Sequence, residues 1–265
     1  GPVKLIFQPA EEGVRGARAM VAAGVLDDVD YVLGLHIGFA AGETGKVVCG
    51  GEGFLATTKL DVMFRGQPAH AGGAPERGRN ALLAAATATL NLHAIARHSE
   101  GPSRINVGLL RAGTGRNVVP PTAELQLETR GTTSAINDYM EEAARRILQA
   151  AADMYDVELE ISAAGGAPSA VSDGALVDLA AAVAATIPEF HRVTRTVPLG
   201  GSEDFTYMMR RVQERGGLAT YLMVGCDLTA GHHEAAFDFD ETILAPAVSW
   251  LLHLTLALQT ARPQR

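Results

Sequence analysis

Two adjacent carboxylates, Glu11 and Glu12, follow the apolar run in LIFQPAEEG. The run is short and stops at a proline, so it predicts a buried strand over residues 3–8 with both glutamates beyond its carboxyl end. That end of a strand is where open α/β sheets bind ligands. Successive residues point to different targets, so one carboxylate can hold a metal ion while the other transfers a proton. The alternative is that both glutamates only favour the positive N-terminus of the next helix.

Histidines follow two other apolar runs. His36 closes YVLGLH, and His232 and His233 stand in AGHHEAAFDFDE after the run YLMVG. Imidazole and carboxylate are ligands of many divalent metal ions, so these histidines are candidate ligands. The simpler interpretations are a hydrogen-bonded structural histidine at His36 and a solvated turn for the pair. The glycine-led loop GGSEDF, residues 200–205, either lines a pocket or starts a capped helix.

Further candidates are hydrogen-bond donors in loops of small residues. GQPAHAGG contains His70, GTGRNVVPP contains Arg116 and Asn117, and Arg130 ends the predicted strand ELQLETR. Such donors suit an anionic substrate. Each of them, taken alone, is typical of an ordinary surface residue.

Composition disfavours several classes of partner. The 265 residues carry a formal net charge of −8, the opposite of what a nucleic-acid partner requires. No apolar run approaches the roughly 20 residues of a membrane span, and no basic segment followed by an apolar one opens the chain. We therefore expect neither nucleic-acid nor membrane binding. Cys49 and Cys226 are far apart and form no CxxC pair, which fits a reducing compartment, most simply the cytoplasm.

The predicted elements change character twice along the chain. Residues 1–53 have the pattern strand, helix, strand, which indicates a parallel sheet covered by helices. Residues 54–165 follow the order β-α-β-β-α-β of a ferredoxin-like unit. Residues 166–265 return to long helices around a buried strand. We therefore expect an α/β domain, formed by 1–53 and 166–265, that is interrupted by a small α+β domain.

Together the motifs resemble the metal-dependent amidohydrolase family that includes aminoacylase, carboxypeptidase G and the auxin-conjugate hydrolases. The matching stretches fall in the family's order and spacing: FQPAEEG, GLHIG, GQPAHAGG, GTGRNVVP, GGSEDF and HHEAAFDFDE. The resemblance implies an open-sheet catalytic domain of the metallopeptidase type and an inserted lid that also dimerises. The implied reaction is hydrolysis of the amide bond of p-aminobenzoyl-glutamate, as in folate catabolism, or of a related N-acyl amino acid.

The resemblance also implies a metal site. Glu11 would be the general base that acts on a metal-activated water. Three residues would contribute ligands to two divalent ions, manganese or zinc: Glu12, His36 and His233. The family's C-terminal ligand stands four residues before an aromatic residue and eight before an acid. His233 meets both conditions, through Phe237 and Glu241, and fits better than His232.

Substrate contacts are implied for the inserted domain. His70 would reach from the lid toward the partner's active site, where it would polarise the scissile carbonyl. Asn117 and Arg130 would hold the carboxylate of the substrate. The expected assembly is a homodimer, or a heterodimer with a homologous B-type subunit, formed through the lid.

One family element has no counterpart in this sequence. Relatives carry an HxCGHD-like segment upstream of the first strand, and its Cys and His complete the metal site. Cys49 does not replace them, since it lies downstream in KVVCGGEG. We therefore expect an N-terminally truncated catalytic domain that is inactive by itself. The alternative function is a noncatalytic dimerisation or binding module.

Overall fold

The computed structural model describes residues 1–38 and 41–260. In these ranges the strands are β1 (Tyr31–Ile37), β2 (Lys46–Glu52), β3 (Ala56–Arg65), β4 (Ser103–Ala112), β5 (Thr122–Gly131), β6 (Glu158–Ala167), β7 (Arg192–Pro198) and β8 (Leu218–Val224). The α-helices are α1 (Gly16–Ala22), α2 (Ala81–His93), α3 (Ser134–Met154), α4 (Gly174–Ala184), α5 (Thr206–Gln213) and α6 (Leu244–Thr260). Short 3-10 turns occupy Glu11–Gly13, Pro75–Arg77 and Glu241–Ile243.

The chain forms two compact units. Unit 1 contains Gly1–Glu11, Gly16–Phe54 and the residues from Ala170 onward. Unit 2 contains Glu12–Arg15 and Leu55–Ser169. The boundary at the N-terminal side therefore falls between the two adjacent glutamates.

Unit 1 is built on a mixed sheet with the strand order β1-β8-β2-β7. β1 is parallel to β8 and β2 is parallel to β7, but β2 and β8 run antiparallel. The prediction of a parallel sheet is therefore only partly right. Residues 38–45 alone separate β1 from β2. A connection that short cannot return the chain for a parallel strand, because a crossover needs about a dozen residues or more.

The sheet of unit 1 is buried on both faces, which explains the continuous apolar run in β8. Along β8, Ala219, Tyr221 and Met223 pack in one cluster with side chains of α1 and α5. Leu222 and Val224 pack in a second cluster with side chains of α4 and α6. Successive side chains of a strand point to opposite faces, so one apolar strand serves both clusters.

The predicted strand over residues 3–8 is not formed. Residues 1–10 contain neither strand nor helix, and Val3, Leu5 and Phe7 are 57%, 83% and 85% exposed. A strand needs neighbours that pair with its backbone, and none of the described strands pairs with this segment. Glu11 and Glu12 consequently follow an irregular segment and lie in a 3-10 turn.

Unit 2 is one antiparallel sheet with the strand order β4-β5-β3-β6, on which α2 and α3 pack. The order of its elements along the chain is the predicted β-α-β-β-α-β. Local signals define both helices: the Asn80 side chain accepts a hydrogen bond from Leu83 N–H at the start of α2, and Thr133 does the same for Ile136 at the start of α3. Alternating residues of β5 fill the core: Ala123, Leu125 and Leu127.

One helical stretch, Glu241–Thr260, is long and apolar enough to cross a membrane by length and composition alone, with a mean hydropathy of 1.4. The expectation that no apolar run approaches that length is wrong for this stretch. Core helices of globular proteins pass the same test, and the α6 residues Trp250 and Leu254 are fully buried in unit 1. The opposite side of α6 carries exposed apolar residues at intervals of four: Leu244, Val248, Leu252 and Leu256.

Candidate active site

Three carboxylates converge in unit 1. Glu11, Glu203 and Asp204 each place an oxygen within 4.8 Å of the others. Glu203 and Asp204 are buried, at 6% and 0% exposure, and Glu11 is half-buried. The loop GGSEDF thus lies against the predicted general base and also leads directly into α5. The sequence motif GGSEDF contains both carboxylates, but its pattern alone does not predict that they lie beside Glu11.

Glu203 is held by two donors. Its Oε1 accepts a hydrogen bond from the backbone N–H of Phe205 at 3.0 Å, and its Oε2 accepts one from the Tyr221 hydroxyl at 2.7 Å. Burial, with the negative charge of Glu203 as a second cause, raises the pKa of Tyr221. The phenol therefore stays protonated and acts as a fixed donor to the carboxylate.

Asp204 accepts hydrogen bonds from both sides of the glutamate pair. Its Oδ2 accepts from the backbone N–H of Ala17 at 2.8 Å, and its Oδ1 accepts from the side-chain amide of Gln8. Burial raises the pKa of Asp204, and the neighbouring charge of Glu203 adds to the rise. Hydrogen bonds from the N–H groups of Ala17 and Gly16 and from Gln8 act in the opposite direction by stabilising the anion.

The segment that carries Glu11 has an unusual backbone. Ala10 and Val14 adopt φ values of 56° and 51°, in the left-handed region that non-glycine residues rarely enter. A Cβ atom on Gly16 would lie 1.5 Å from the carbonyl oxygen of Pro9, so this close approach requires glycine. The turn around Glu11 is therefore tightly constrained at both of its ends.

His36 lies near the end of β1, as predicted, with its ring fixed by the backbone. Its Nδ1 is 2.8 Å from the carbonyl oxygen of Ile37. A carbonyl oxygen only accepts hydrogen bonds, so Nδ1 is the donor, and in the neutral form of this ring the lone pair is on Nε2. Metal-bound histidines commonly have this arrangement, in which a backbone carbonyl orients the ring.

The histidine loop after β8 reaches His36. The ring centroids of His36 and His232 are 5.7 Å apart. Burial lowers the pKa of His232, and the charges of His36 and His233 lower it further. His233, which the motif spacing favours as a ligand, is exposed and adopts a φ of 68°. The loop therefore contacts His36 through His232, whereas the motif spacing favours His233 as the ligand.

The two donor loops of unit 2 lie side by side. His70 forms an isolated bridge with Val118, and the carbonyl oxygen of Asn117 accepts a hydrogen bond from Ala71 N–H at 2.9 Å. His70 Nδ1 accepts hydrogen bonds from the backbone N–H groups of Gly72 and Gly73, at 3.1 and 3.0 Å. The neutral ring therefore carries its proton on Nε2, which makes that atom a donor.

Arg130 lies at the end of β5, as predicted, and already has an anionic partner. Its guanidinium donates to both carboxylate oxygens of Glu128, at 3.1 and 3.2 Å. The two side chains are 35% and 31% exposed, so the pair is partly shielded from water. Arg116 and Asn117 are exposed in their loop.

The donor set of unit 1 suits a divalent metal ion. Half-buried and buried carboxylates lie together, and His36 presents the Nε2 lone pair of an oriented ring. Oxygen and imidazole nitrogen are the ligands that manganese and zinc accept in proteins. The chemistry of these side chains therefore fits the metal that the family resemblance implies.

Known proteins provide an independent comparison. The chain is 54% identical over 252 residues to indole-3-acetyl-aspartic acid hydrolase of Enterobacter agglomerans, which covers 95% of this chain and 58% of that protein. It is 52% identical over 257 residues to the A-type subunit of p-aminobenzoyl-glutamate hydrolase from Escherichia coli strain K12, covering 97% and 59%. The solved aminobenzoyl-glutamate utilization protein of Klebsiella pneumoniae matches with a TM-score of 0.87 and 51% identity, over 96% of this chain and 61% of that one.

The chain thus spans about three fifths of the length of these relatives. The match to Peptidase family M20/M25/M40 covers residues 1–257. This range includes the turn that carries Glu11, the loops of His70 and Asn117, and the loop of His232 and His233. The chain belongs to Peptidase family M20/M25/M40.

Proposed function

We propose that the whole protein containing this chain hydrolyses the amide bond of an N-acyl or N-aroyl derivative of aspartate or glutamate. The observation that carries the proposal is the identity of more than half of all aligned residues to two hydrolases. One is named for an acyl-aspartate and the other for an aroyl-glutamate. Their substrates share an amide bond to an acidic amino acid.

The residues of the chain divide the chemical work. Glu11 takes a proton from the attacking water and delivers it to the nitrogen of the leaving amino acid, as the C–O bond forms and the C–N bond breaks. When bound, a divalent metal ion lowers the pKa of water and polarises a carbonyl group. Manganese or zinc would be held by Glu12, His36 and His233, the ligands that the family resemblance implies; of these, His36 has a ring oriented by a backbone carbonyl.

The function is tested by the release of product from both conjugates. The whole protein, supplied with manganese or zinc, should release glutamate from p-aminobenzoyl-glutamate or aspartate from indole-3-acetyl-aspartate. The amide of an uncharged amino acid serves as the matched substrate control. If protein that binds metal releases no amino acid from any N-acyl aspartate or N-acyl glutamate, the proposed function is wrong.

His70 is proposed to donate Nε2–H to the carbonyl oxygen as negative charge develops there. Replacing it by alanine should lower kcat by about 10²–10³-fold, the usual cost of losing one donor to an oxyanion. A glutamine amide nitrogen lies near the position of Nε2, and an asparagine amide nitrogen lies near that of Nδ1. His70→Gln should therefore retain more activity than His70→Asn, and the reverse order would contradict the assignment of the donor atom.

Arg130 is proposed to bind the carboxylate of the leaving amino acid. Arg130→Ala should cost about 2–5 kcal/mol of apparent binding, measured as kcat/KM, because the carboxylate of the substrate would lose its charged partner in surroundings partly shielded from water. Glu128 competes for the same guanidinium, so Glu128→Gln should lower KM for acidic conjugates.

The matched control is Arg65, which pairs with Glu160 at 3.4 Å in the same sheet. Arg65→Ala should leave KM unchanged. An unchanged KM and kcat in Arg130→Ala would exclude Arg130 from the substrate site.

Assembly with a second chain is part of the proposal. The names of two relatives describe them as one subunit of a hydrolase or its homologue, which supports a partner for the whole protein. We assign the dimer contact to unit 2, the lid predicted from the sequence. Size-exclusion chromatography with light scattering tests this, and a strictly monomeric protein at micromolar concentration would count against it.

A further inference from the structure

The carboxylate of Asp204 fastens both ends of the segment that carries Glu11. Gln8 precedes Glu11 in the sequence and is 196 residues away from Asp204. Ala17 follows Glu11 and is 187 residues away from Asp204. Each donates one hydrogen bond to a different oxygen of the same carboxylate. A single buried side chain therefore spans the whole turn around Glu11.

The fastened segment stores conformational strain. Ala10 adopts a left-handed φ of 56° immediately before Glu11. Such a backbone conformation is costly for a non-glycine residue and persists only where the surrounding contacts hold it in place. The two bonds to Asp204 and the close contact of Gly16 with Pro9 help to hold this conformation in unit 1.

Electrostatic repulsion also acts against the observed position of Glu11. Its carboxylate oxygen lies within 4.8 Å of oxygens from Glu203 and Asp204. Like charges at that distance repel, and burial of two of them weakens the screening by water. If Asp204 were lost, the repulsion from Glu203 would remain, while both bonds that fasten the turn would be gone.

A helix cap is the simpler role for a buried aspartate, and it explains the bonds from the backbone N–H groups of Ala17 and Gly16 but not the bond from Gln8. The bond from Ala17 N–H satisfies a donor in the first turn of α1. The bond from Gln8 lies on the other side of Glu11 and satisfies no helix donor. A side chain that binds both sides fixes the distance between them.

We propose that Asp204 is a positioning residue, which holds the Gln8–Ala17 segment so that Glu11 stays within reach of the proton it transfers. Asp204 acts through the position of Glu11. The kinetic part of this inference rests on the proposed amidohydrolase function, whereas the tether itself rests on geometry alone.

The chain offers a matched control in Asp173. Its Oδ2 accepts hydrogen bonds from the backbone N–H of Ala219 at 2.7 Å and from the side-chain amide of Gln213 at 2.8 Å. The donors are of the same two kinds as those of Asp204, a backbone N–H and a glutamine amide. None of them belongs to the segment that carries Glu11.

The kinetic experiment compares alanine variants at the two aspartates. Asp204→Ala should lower kcat for p-aminobenzoyl-glutamate by about 100-fold with little change in KM, because a displaced catalytic group is costly even when substrate still binds. Asp173→Ala should lose thermal stability and keep its kcat. Asp204→Asn has the same shape, and the Gln8 amide can rotate to accept from it, so this variant should recover most of the turnover.

Two further measurements do not depend on turnover. Hydrogen exchange of amides in residues 10–17 should accelerate in Asp204→Ala and stay unchanged in Asp173→Ala. Bound metal per chain should be equal in both variants. Unchanged exchange in Asp204→Ala, a loss of metal confined to it, or an equal fall of kcat in both alanine variants would each overturn the positioning role. If the unsubstituted protein hydrolyses no conjugate, the proposed function fails, and the exchange result alone decides whether the tether exists.

Discussion

Replacing Glu11 by glutamine in the whole protein should lower kcat by about 10²–10⁴-fold, the range for loss of a general acid–base group, while bound metal stays near its normal content. Glutamine preserves the shape of the side chain but cannot accept a proton. It also removes one of three crowded negative charges, so thermal stability should not fall. The measurements are steady-state kinetics, elemental analysis and a melting curve on the same preparation.

Glu12→Gln is the comparison that separates the two adjacent glutamates. A ligand carboxylate that becomes an amide loses its charge, so this variant should lose metal as well as turnover. Equal loss of metal in both variants would contradict the division of labour. Loss of metal in Glu11→Gln alone would instead indicate that Glu11, with Glu203 and Asp204, holds the ion.

Trp250→Ala should reduce the free energy of unfolding of unit 1 by about 3–5 kcal/mol, the range for large aromatic truncations in a core. Trp250 is 0% exposed, and its ring packs edge-on against Phe190 with centroids 5.5 Å apart. Its indole N–H donates to the carbonyl oxygen of Ala180 at 3.0 Å, which joins α6 to α4. Alanine would leave a cavity between these helices and remove the hydrogen bond.

Urea denaturation followed by circular dichroism measures this loss. Trp250→Phe retains a ring and should cost less than Trp250→Ala. Val248→Ala, on the same helix but 65% exposed, should change the free energy by no more than about 0.5 kcal/mol. Equal effects of Trp250→Ala and Val248→Ala would show that α6 does not form part of the core of unit 1.

The elements of unit 2 can be predicted because their signals are local. Alternation along β5 places Leu125 and Leu127 on one face, and that face is buried. Asn80 and Thr133 mark helix starts through bonds to residues three positions away. Each signal needs only a few neighbouring residues, so a single sequence contains it.

Unit 1 is harder to predict because its order depends on pairing between distant segments. An apolar run at residues 3–8 looks like a strand, but no described strand pairs with it. β2 is not predicted from the sequence, because Gly50 and Gly51 interrupt its apolar pattern. Both glycines are buried, and β2 lies between β8 and β7 in the sheet. The site shows the same division. The motifs place His36 and the histidine loop in one predicted site, and the rings of His36 and His232 lie 5.7 Å apart. The contact of Asp204 with Gln8, by contrast, crosses 196 residues and leaves no local signal.

The placement of Trp250 has a spectroscopic consequence. It is the single tryptophan of the sequence, and it lies in the core of unit 1. Intrinsic fluorescence excited at the red edge of the indole band therefore reports on unit 1, while unit 2 is silent in that signal. Far-ultraviolet circular dichroism averages over the helices and strands of both units. If the two units unfold independently, the fluorescence and circular dichroism signals will have different midpoints along a denaturation curve. The unfolding of the two units can then be distinguished in the unmodified chain, without an attached dye.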